Sequence, residues 1–148
     1  MTILNIETST SACSAAITID GVEVASVEKL AEANHASDLP VFVQQLLQEA
    51  QKNNWHLDAV ALSQGPGSYT GLRIGASLAK GLCYGLNIPL IPIDTLQLLC
   101  AALQLENIPN NALLCPMLDA RRMEVYTAFY LQRDKSFEPK SEVQAKIV

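Results

Sequence analysis

The chain has 148 residues, of which 49% are hydrophobic and 17% charged, a balance that supports a buried core and excludes a disordered polymer. Fifteen acidic against ten basic residues give a net charge of -5, which argues against a bare nucleic-acid binder, because phosphate contacts need Lys and Arg. Cys13, Cys83, Cys100 and Cys115 form no CxxC pair, which excludes a zinc knuckle or redox dithiol and predicts buried, reduced thiols.

The N-terminal MTILNIETST lacks the basic start and long apolar run of a signal peptide. Met1 to Glu7 and Ala12 to Ile19 are β-rich runs separated by Thr8-Ser9-Thr10-Ser11. Asp20-Gly21 is a hairpin signal, and a third strand follows from Val22 to about Leu30, completing an antiparallel meander. From Ser37 the period changes. Leu39, Phe42, Val43, Leu46, Leu47 and Ala50 fall on one helical face, with Ser37 or Asp38 available as a cap and Pro40 in the first turn.

Asp58 to Ser63 forms a fourth, buried strand, and Ser68 caps a second helix running to about Leu86. Ile88 to Ile93 makes a fifth strand whose prolines suggest an edge or a strand end, and Asp94 caps a third helix through roughly Leu105. The region from 74 to 105 is the most apolar, but Lys80, Pro89, Pro92 and Asp94 interrupt it, so no membrane span is expected and the protein reads as cytoplasmic. Beyond Asn110-Asn111, strand-like runs cover Ala112 to Leu118 and Glu124 to Leu131, around the loop Asp119-Ala120-Arg121-Arg122. Residues 132–148 are polar without clear period.

The element order β-β-β-α-β-α-β-α, an antiparallel meander followed by βα crossovers, predicts an α/β fold with a mixed sheet. This is the pattern of a ribonuclease-H-like lobe of the actin-like ATPase superfamily. Residues 1–110 form that lobe, and residues 111–148 begin a second, similar and incomplete one.

Two loops are candidate sites. The first is Ser63-Gln64-Gly65-Pro66-Gly67-Ser68-Tyr69-Thr70-Gly71. It lacks the lysine of a Walker loop, and its GxGxxxG spacing fails the dinucleotide fingerprint. What remains is generic anion attraction at a helix N-terminus, with Gly65, Gly67 and Ser68 as contacts, or simply a tight strand-to-helix turn. The second is the turn Thr8, Ser9, Thr10, whose hydroxyls suit phosphate but also bond their own backbone. In the loop Asp119 to Arg122 the opposite charges read as a local salt bridge or turn, not as a catalytic group. His35 and His56 read as loop or capping residues, and no catalytic set and no metal site can be nominated.

The helix after Ser68 carries Gly71, Gly75, Gly81 and Gly85, which together cost roughly 4 kcal/mol against alanine. Arg73, Ser77, Lys80 and Tyr84 form a narrow polar strip, and the remaining arc of roughly 220° is apolar or small. Such a helix is expected to be covered on two sides, by its own sheet and by either a further helix of the chain or a partner.

ILNIETSTSACSAAI, GPGSYTGLRIGASLAKGL and DARRMEVY resemble the bacterial TsaB (YeaZ) family, over Met1 to about Tyr126. The resemblance implies a part in making threonylcarbamoyladenosine beside the tRNA anticodon. It also implies pairing, helix against helix, with the catalytic relative TsaD; TsaE, an ATPase, binds that pair, and TsaC supplies the threonylcarbamoyl adenylate. Leu39, Phe42, Val43, Leu46, Leu72, Gly75, Ala76, Ala79 and Cys83 become the expected partner interface, which also serves self-association when the partner is absent.

TsaD-type proteins carry a metal-binding His-x-x-x-His, and the matching positions here are Thr95 and Leu99. The resemblance therefore implies a non-catalytic subunit that reaches tRNA through the complex, with no required cofactor and at most weak ATP or ADP binding at a vestigial cleft. The alternative is an actin-like ATPase or kinase-type enzyme using the Thr8 and Gly65 loops. Family members run well past 200 residues by resemblance, so a site needing two complete lobes is in question.

Overall fold

The computed structural model describes residues 1–30, 33–103, 108–134 and 136–147. They form two compact units, one of residues 1–64 and 68–93, the other of residues 65–67 and 94–148.

The first unit contains β1 (Thr2–Glu7), β2 (Cys13–Ile19), β3 (Val22–Lys29), α1 (His35–Lys52), β4 (Ala59–Gly65), α2 (Tyr69–Leu86) and β5 (Leu90–Asp94). Its sheet runs β3-β2-β1-β4-β5. β1 pairs antiparallel with β2 and parallel with β4, and β2 pairs antiparallel with β3. This is the ribonuclease-H-like arrangement that the element order predicts.

Asp20 and Gly21 turn the β2–β3 hairpin at φ +50° and +82°, where the missing Cβ of glycine removes the steric penalty. Alternation along β1 buries Thr2, Leu4 and Ile6 on one face. Leu4 opposes Ile17 and Ile6 opposes Ala15, so the buried positions of β1 and β2 share that face. Leu39, Val43, Leu46 and Ala50 of α1 and Ala79 of α2 complete this core with Val60 and Leu62 of β4.

Helix α1 starts earlier than its periodicity suggests. Asn34 is the N-cap, and its side chain makes no capping hydrogen bond. Asp38 instead reaches back, its Oδ2 accepting from the Asn34 N–H at 2.8 Å and from Lys29 Nζ at 3.0 Å. Neither Ser37 nor Asp38 is the cap residue, and Pro40 sits beyond the first turn. His35 is the first helical residue, and its Nε2 donates to the Ala12 carbonyl at 3.1 Å.

In the second unit Asp94 caps α3 (Thr95–Ala101) by accepting from the Gln97 N–H at 2.8 Å. The helix ends at Ala101, short of the predicted Leu105, which lies outside the described residues. The strand expected over Ala112 to Leu118 is two strands, β6 (Leu113–Leu114) and β7 (Met117–Arg121). Pro116 between them offers no N–H to a ladder. Glu124 to Leu131 likewise divides into β8 (Glu124–Thr127) and β9 (Tyr130–Arg133). The polar C-terminal stretch supplies β10 (Ser136–Pro139) and β11 (Gln144–Ile147). Two three-stranded antiparallel sheets result, β10-β9-β6 and β11-β8-β7.

Leu96, Cys100, Ala128, Tyr130 and Phe137 form the core of this unit. The Tyr130 hydroxyl donates to Asp94 Oδ1 at 2.8 Å, so one carboxylate oxygen caps α3 and anchors β9. Burial first, and then this hydrogen bond, push the phenol above its ordinary range.

Candidate functional site

The β1–β2 turn and the start of α2 form the most constrained polar region of the first unit. Thr8 and Ser9 follow β1, and Ser63 lies near the end of β4. Because β1 and β4 are parallel with Ile6 opposite Leu62, these hydroxyls cluster at the carboxyl ends of adjacent strands, the usual ligand edge of an α/β sheet. Thr8, Ser9 and Ser63 are all buried, and their side-chain oxygens have no hydrogen-bond partner.

Several backbone donors of the same region are engaged within the chain. Glu7 Oε1 accepts from the Ser9 N–H at 2.5 Å, and Thr10 Oγ1 accepts from the Ala12 N–H at 3.2 Å. The Ser68 N–H donates to the Ser9 carbonyl at 2.6 Å. The Ser68 side chain accepts from the Gly71 N–H at 3.3 Å, and its carbonyl accepts from the Leu72 N–H at 2.8 Å. A phosphate at the Ser9 amide would have to displace a carboxylate of the chain itself.

Two of the four helix glycines are explained here. A methyl group at Gly71 would overlap the Thr8 carbonyl oxygen, and one at Gly75 would overlap Thr8 Oγ1 and press on Leu62 Cδ1 at 3.1 Å. The close approach that these glycines permit is to the β1–β2 turn of the same unit. Gly81 and Gly85 differ, because nothing stands within 4 Å of a Cβ at either. Tyr84 beside them is 92% exposed and Leu86 is 49% exposed. Arg73, Ser77, Lys80 and Tyr84 form an exposed strip, as the helical projection predicts.

The expected partner interface requires correction. Leu39, Val43, Leu46, Gly75 and Ala79 are buried in the unit's own core, because the apolar stripes of α1 and α2 turn onto the sheet and onto each other. Phe42, Leu72, Ala76 and Cys83 are half-buried at the margin. In the loop before α2, Gly65 has φ +110°, the Gly65–Pro66 peptide is cis, and Gly65, Gly67 and Ser68 are half-buried.

All four cysteines are free. Cys13 and Cys100 are buried as expected, whereas Cys83 is half-buried and Cys115 is exposed, its Sγ 3.1 Å from Thr127 Oγ1. Burial raises the thiols of Cys13, Cys83 and Cys100, which disfavours a reactive thiolate at each. Thr95 opens α3 with its hydroxyl buried and unpartnered, while Leu99 is exposed beside an apolar groove of about 330 Å³ that Leu103, Leu114 and Met117 also line. Among the described residues no group of three or more His, Cys, Asp or Glu could hold a metal, and no helix is long and apolar enough to cross a membrane.

One feature escaped sequence reasoning. Glu7 fills the amide of its own turn; the only signal was a carboxylate directly before a hydroxyl run. Of the two readings of Asp119 to Arg122, the turn is the one observed: among the described residues these side chains form no salt bridge, Asp119 Oδ1 accepts from the Arg121 N–H at 2.8 Å, and Arg121, Arg122 and Met123 take φ of +66°, +56° and +64°.

The family model described as TsaD, tRNA N6-adenosine threonylcarbamoyltransferase, matches residues 24–143. The chain belongs to that family. Within it the chain lies with the TsaB (YeaZ) proteins. It is 38% identical over 136 residues to the tRNA threonylcarbamoyladenosine biosynthesis protein TsaB of Escherichia coli, covering 92% of this chain and 57% of the relative. To TsaB of Haemophilus influenzae it is 36% identical over 127 residues, 85% of this chain and 52% of the relative. The structure of YeaZ from Pseudomonas aeruginosa superposes with a TM-score of 0.80 at 29% identity, covering 97% of this chain and 66% of that one. The chain thus spans a little over half the length of these curated TsaB relatives.

Proposed function

We propose that this TsaB-family chain is a non-catalytic scaffold subunit for threonylcarbamoylation of the adenosine beside the tRNA anticodon, pairing with a TsaD-type catalytic subunit. The observation that carries the scaffold reading is the internal engagement of the turn amides, above all Glu7 on the Ser9 N–H. A turn whose Ser9 amide already holds the chain's own carboxylate is organised for packing rather than for phosphate transfer. Thr95 and Leu99, where the catalytic relative places metal-binding histidines, supply no imidazole.

The pairing surface in this reading is the open half of α2, with Phe42, Leu72, Ala76 and Cys83 at its margin. Self-association through that surface in the absence of the partner, binding of a TsaE-type ATPase by the pair, access to tRNA through the complex and a cytoplasmic location belong to the same proposal. So does the division into a lobe of residues 1–110 and the start of a second at 111–148. No cofactor is required.

Reconstitution with TsaC-, TsaD- and TsaE-type proteins and unmodified tRNA tests the proposal. Modification should depend on this chain and survive Thr95→Ala. Formation of product at the same rate without the chain would overturn it.

The unpartnered hydroxyls of Thr8, Ser9 and Ser63 favour a second reading, an actin-like ATPase or kinase-type enzyme. Calorimetric titration of the chain with ATP and Mg²⁺ separates the two. Submicromolar affinity with turnover belongs to the enzyme, and weak binding without turnover belongs to the scaffold.

A further inference from the structure

Three residues around the groove beside α3 carry sulfur, Cys100, Cys115 and Met117, and the described residues that line it bring no side-chain nitrogen or oxygen. In a chain with four cysteines and three methionines, that concentration singles the groove out.

Register puts two of the sulfur-bearing side chains on one side. Met117 stands directly opposite Thr127 in the β7–β8 ladder, so their side chains share a face. Cys115 Sγ lies 3.1 Å from Thr127 Oγ1, which brings the thiol to that face although Pro116 separates it from Met117. Thr127 donates its hydroxyl proton to the Pro116 carbonyl at 2.9 Å. A hydroxyl has a single proton, so toward Cys115 its oxygen accepts and the thiol donates. The third sulfur comes from the helix. Cys100 is buried in the core of this unit, and Leu114, the neighbour of Cys115, packs against that core. After burial and Asp94, Cys115 also raises the Cys100 thiol, so the two thiols lie within electrostatic reach of each other.

The donor set decides the ion. A pair of thiols falls short of the tetrahedral set of a zinc site, and no imidazole or carboxylate lines the groove to complete it. Magnesium and calcium need oxygen. Thiolate with thioether selects the soft cation copper(I), which accepts low coordination numbers. Leu99, Leu103 and Leu114 supply hydrocarbon on the remaining wall, while exposed Cys115 and Met117 leave a path of entry.

We propose that Cys100, Cys115 and Met117 form a binding site for copper(I). Each thiol that ligates releases its proton to solvent, the thioether binds unchanged, and no electron is transferred. Thr127, which touches Cys115 Sγ, is a positioning residue. The site uses no residue of the proposed pairing surface and does not depend on the scaffold reading.

The test is anaerobic titration of the purified chain against copper(I) held in a chromogenic chelator. The chain should withdraw about one equivalent. Cys115→Ser and Met117→Leu, both at exposed positions, should weaken binding, the first more than the second. Thr127→Val should weaken it about tenfold, and Thr127→Ser should restore it. Cys83→Ser should change nothing. Equal binding by Cys115→Ser, loss of binding in Cys83→Ser, or equal affinity for zinc(II) would overturn the proposal.

Because replacing buried Cys100 risks the fold itself, X-ray absorption at the copper edge provides a readout that leaves the core intact. With selenomethionine in place of methionine, copper should show a selenium neighbour, and Met117→Leu should remove it. Copper surrounded by sulfur alone in the labelled chain would sink the three-sulfur site and mark adventitious capture by thiols.

Discussion

The two halves of α2 carry the same sequence device for opposite reasons. Gly71 and Gly75 are four apart and buried, and each lets the helix backbone settle against Thr8. Gly81 and Gly85 have the same spacing but face nothing within 4 Å. In the first half the loss of helix propensity is offset by contact inside the chain. In the second half no contact within the first unit offsets it, so the compensation lies outside the chain or is absent. A glycine repeat in a helix is thus two statements, and only the structure tells which half makes which.

The largest effect should come from adding a methyl group to the packed half. Gly71→Ala drives Cβ into a backbone carbonyl, which cannot move aside as a side chain can, and should cost about 3 kcal/mol in urea unfolding. Gly75→Ala meets the Thr8 hydroxyl instead and should cost about 2 kcal/mol. Combining it with Thr8→Ala removes the clashing oxygen, leaving Thr8 Cβ at 3.5 Å and Leu62 Cδ1 at 3.1 Å as neighbours. The double variant should recover about 1 kcal/mol or more of coupling energy. Strict additivity would show that Thr8 does not set the depth at which α2 packs.

The open half should respond with the opposite sign. Gly81→Ala and Gly85→Ala should each stabilise the isolated chain by about 0.8 kcal/mol, because propensity improves and nothing is struck. Gly81→Leu with Gly85→Leu should leave the fold intact while weakening pairing with the TsaD-type subunit at least tenfold. Surface plasmon resonance that found unchanged affinity would move the pairing surface away from this half of the helix.

Local signals were legible in the sequence, and non-local ones were not. Asp20-Gly21, the Ser68 and Asp94 caps and the spacing from Leu39 to Ala50 all act within a few residues, and each has its counterpart in the structure. The division of Ala112 to Leu118 and of Glu124 to Leu131 could not be read. It depends on which of two sheets supplies the pairing partner, and both runs look continuous by composition. β11 is exposed along its whole length, so it carries none of the alternation that marks a half-buried strand. For the candidate site, the sequence located the turn and the glycine helix. It misjudged which face of α1 is free, because periodicity finds an apolar stripe without saying what covers it.

The smallest effect concerns how the two long helices begin. α2 starts with a side-chain cap and a glycine-lined seat, whereas α1 has an uncapped Asn34 and relies on Asp38 folding back. Lys29 first, and then the Asn34 N–H, hold the Asp38 carboxyl below its ordinary 3.8. A carboxyl whose value is lower in the folded chain than in the unfolded one contributes stability above about pH 4 and loses it as pH falls through the folded value. The contribution is small, since Lys29 is solvent-exposed and screened. Asp38→Asn should therefore lower stability slightly at neutral pH and flatten the acid limb of the melting curve between about pH 4 and 2. Because α2 has no carboxylate in its first turn, Ser68→Ala should destabilise it without altering that limb. Parallel acid limbs for wild type and Asp38→Asn would show that α1 is held by its packing alone.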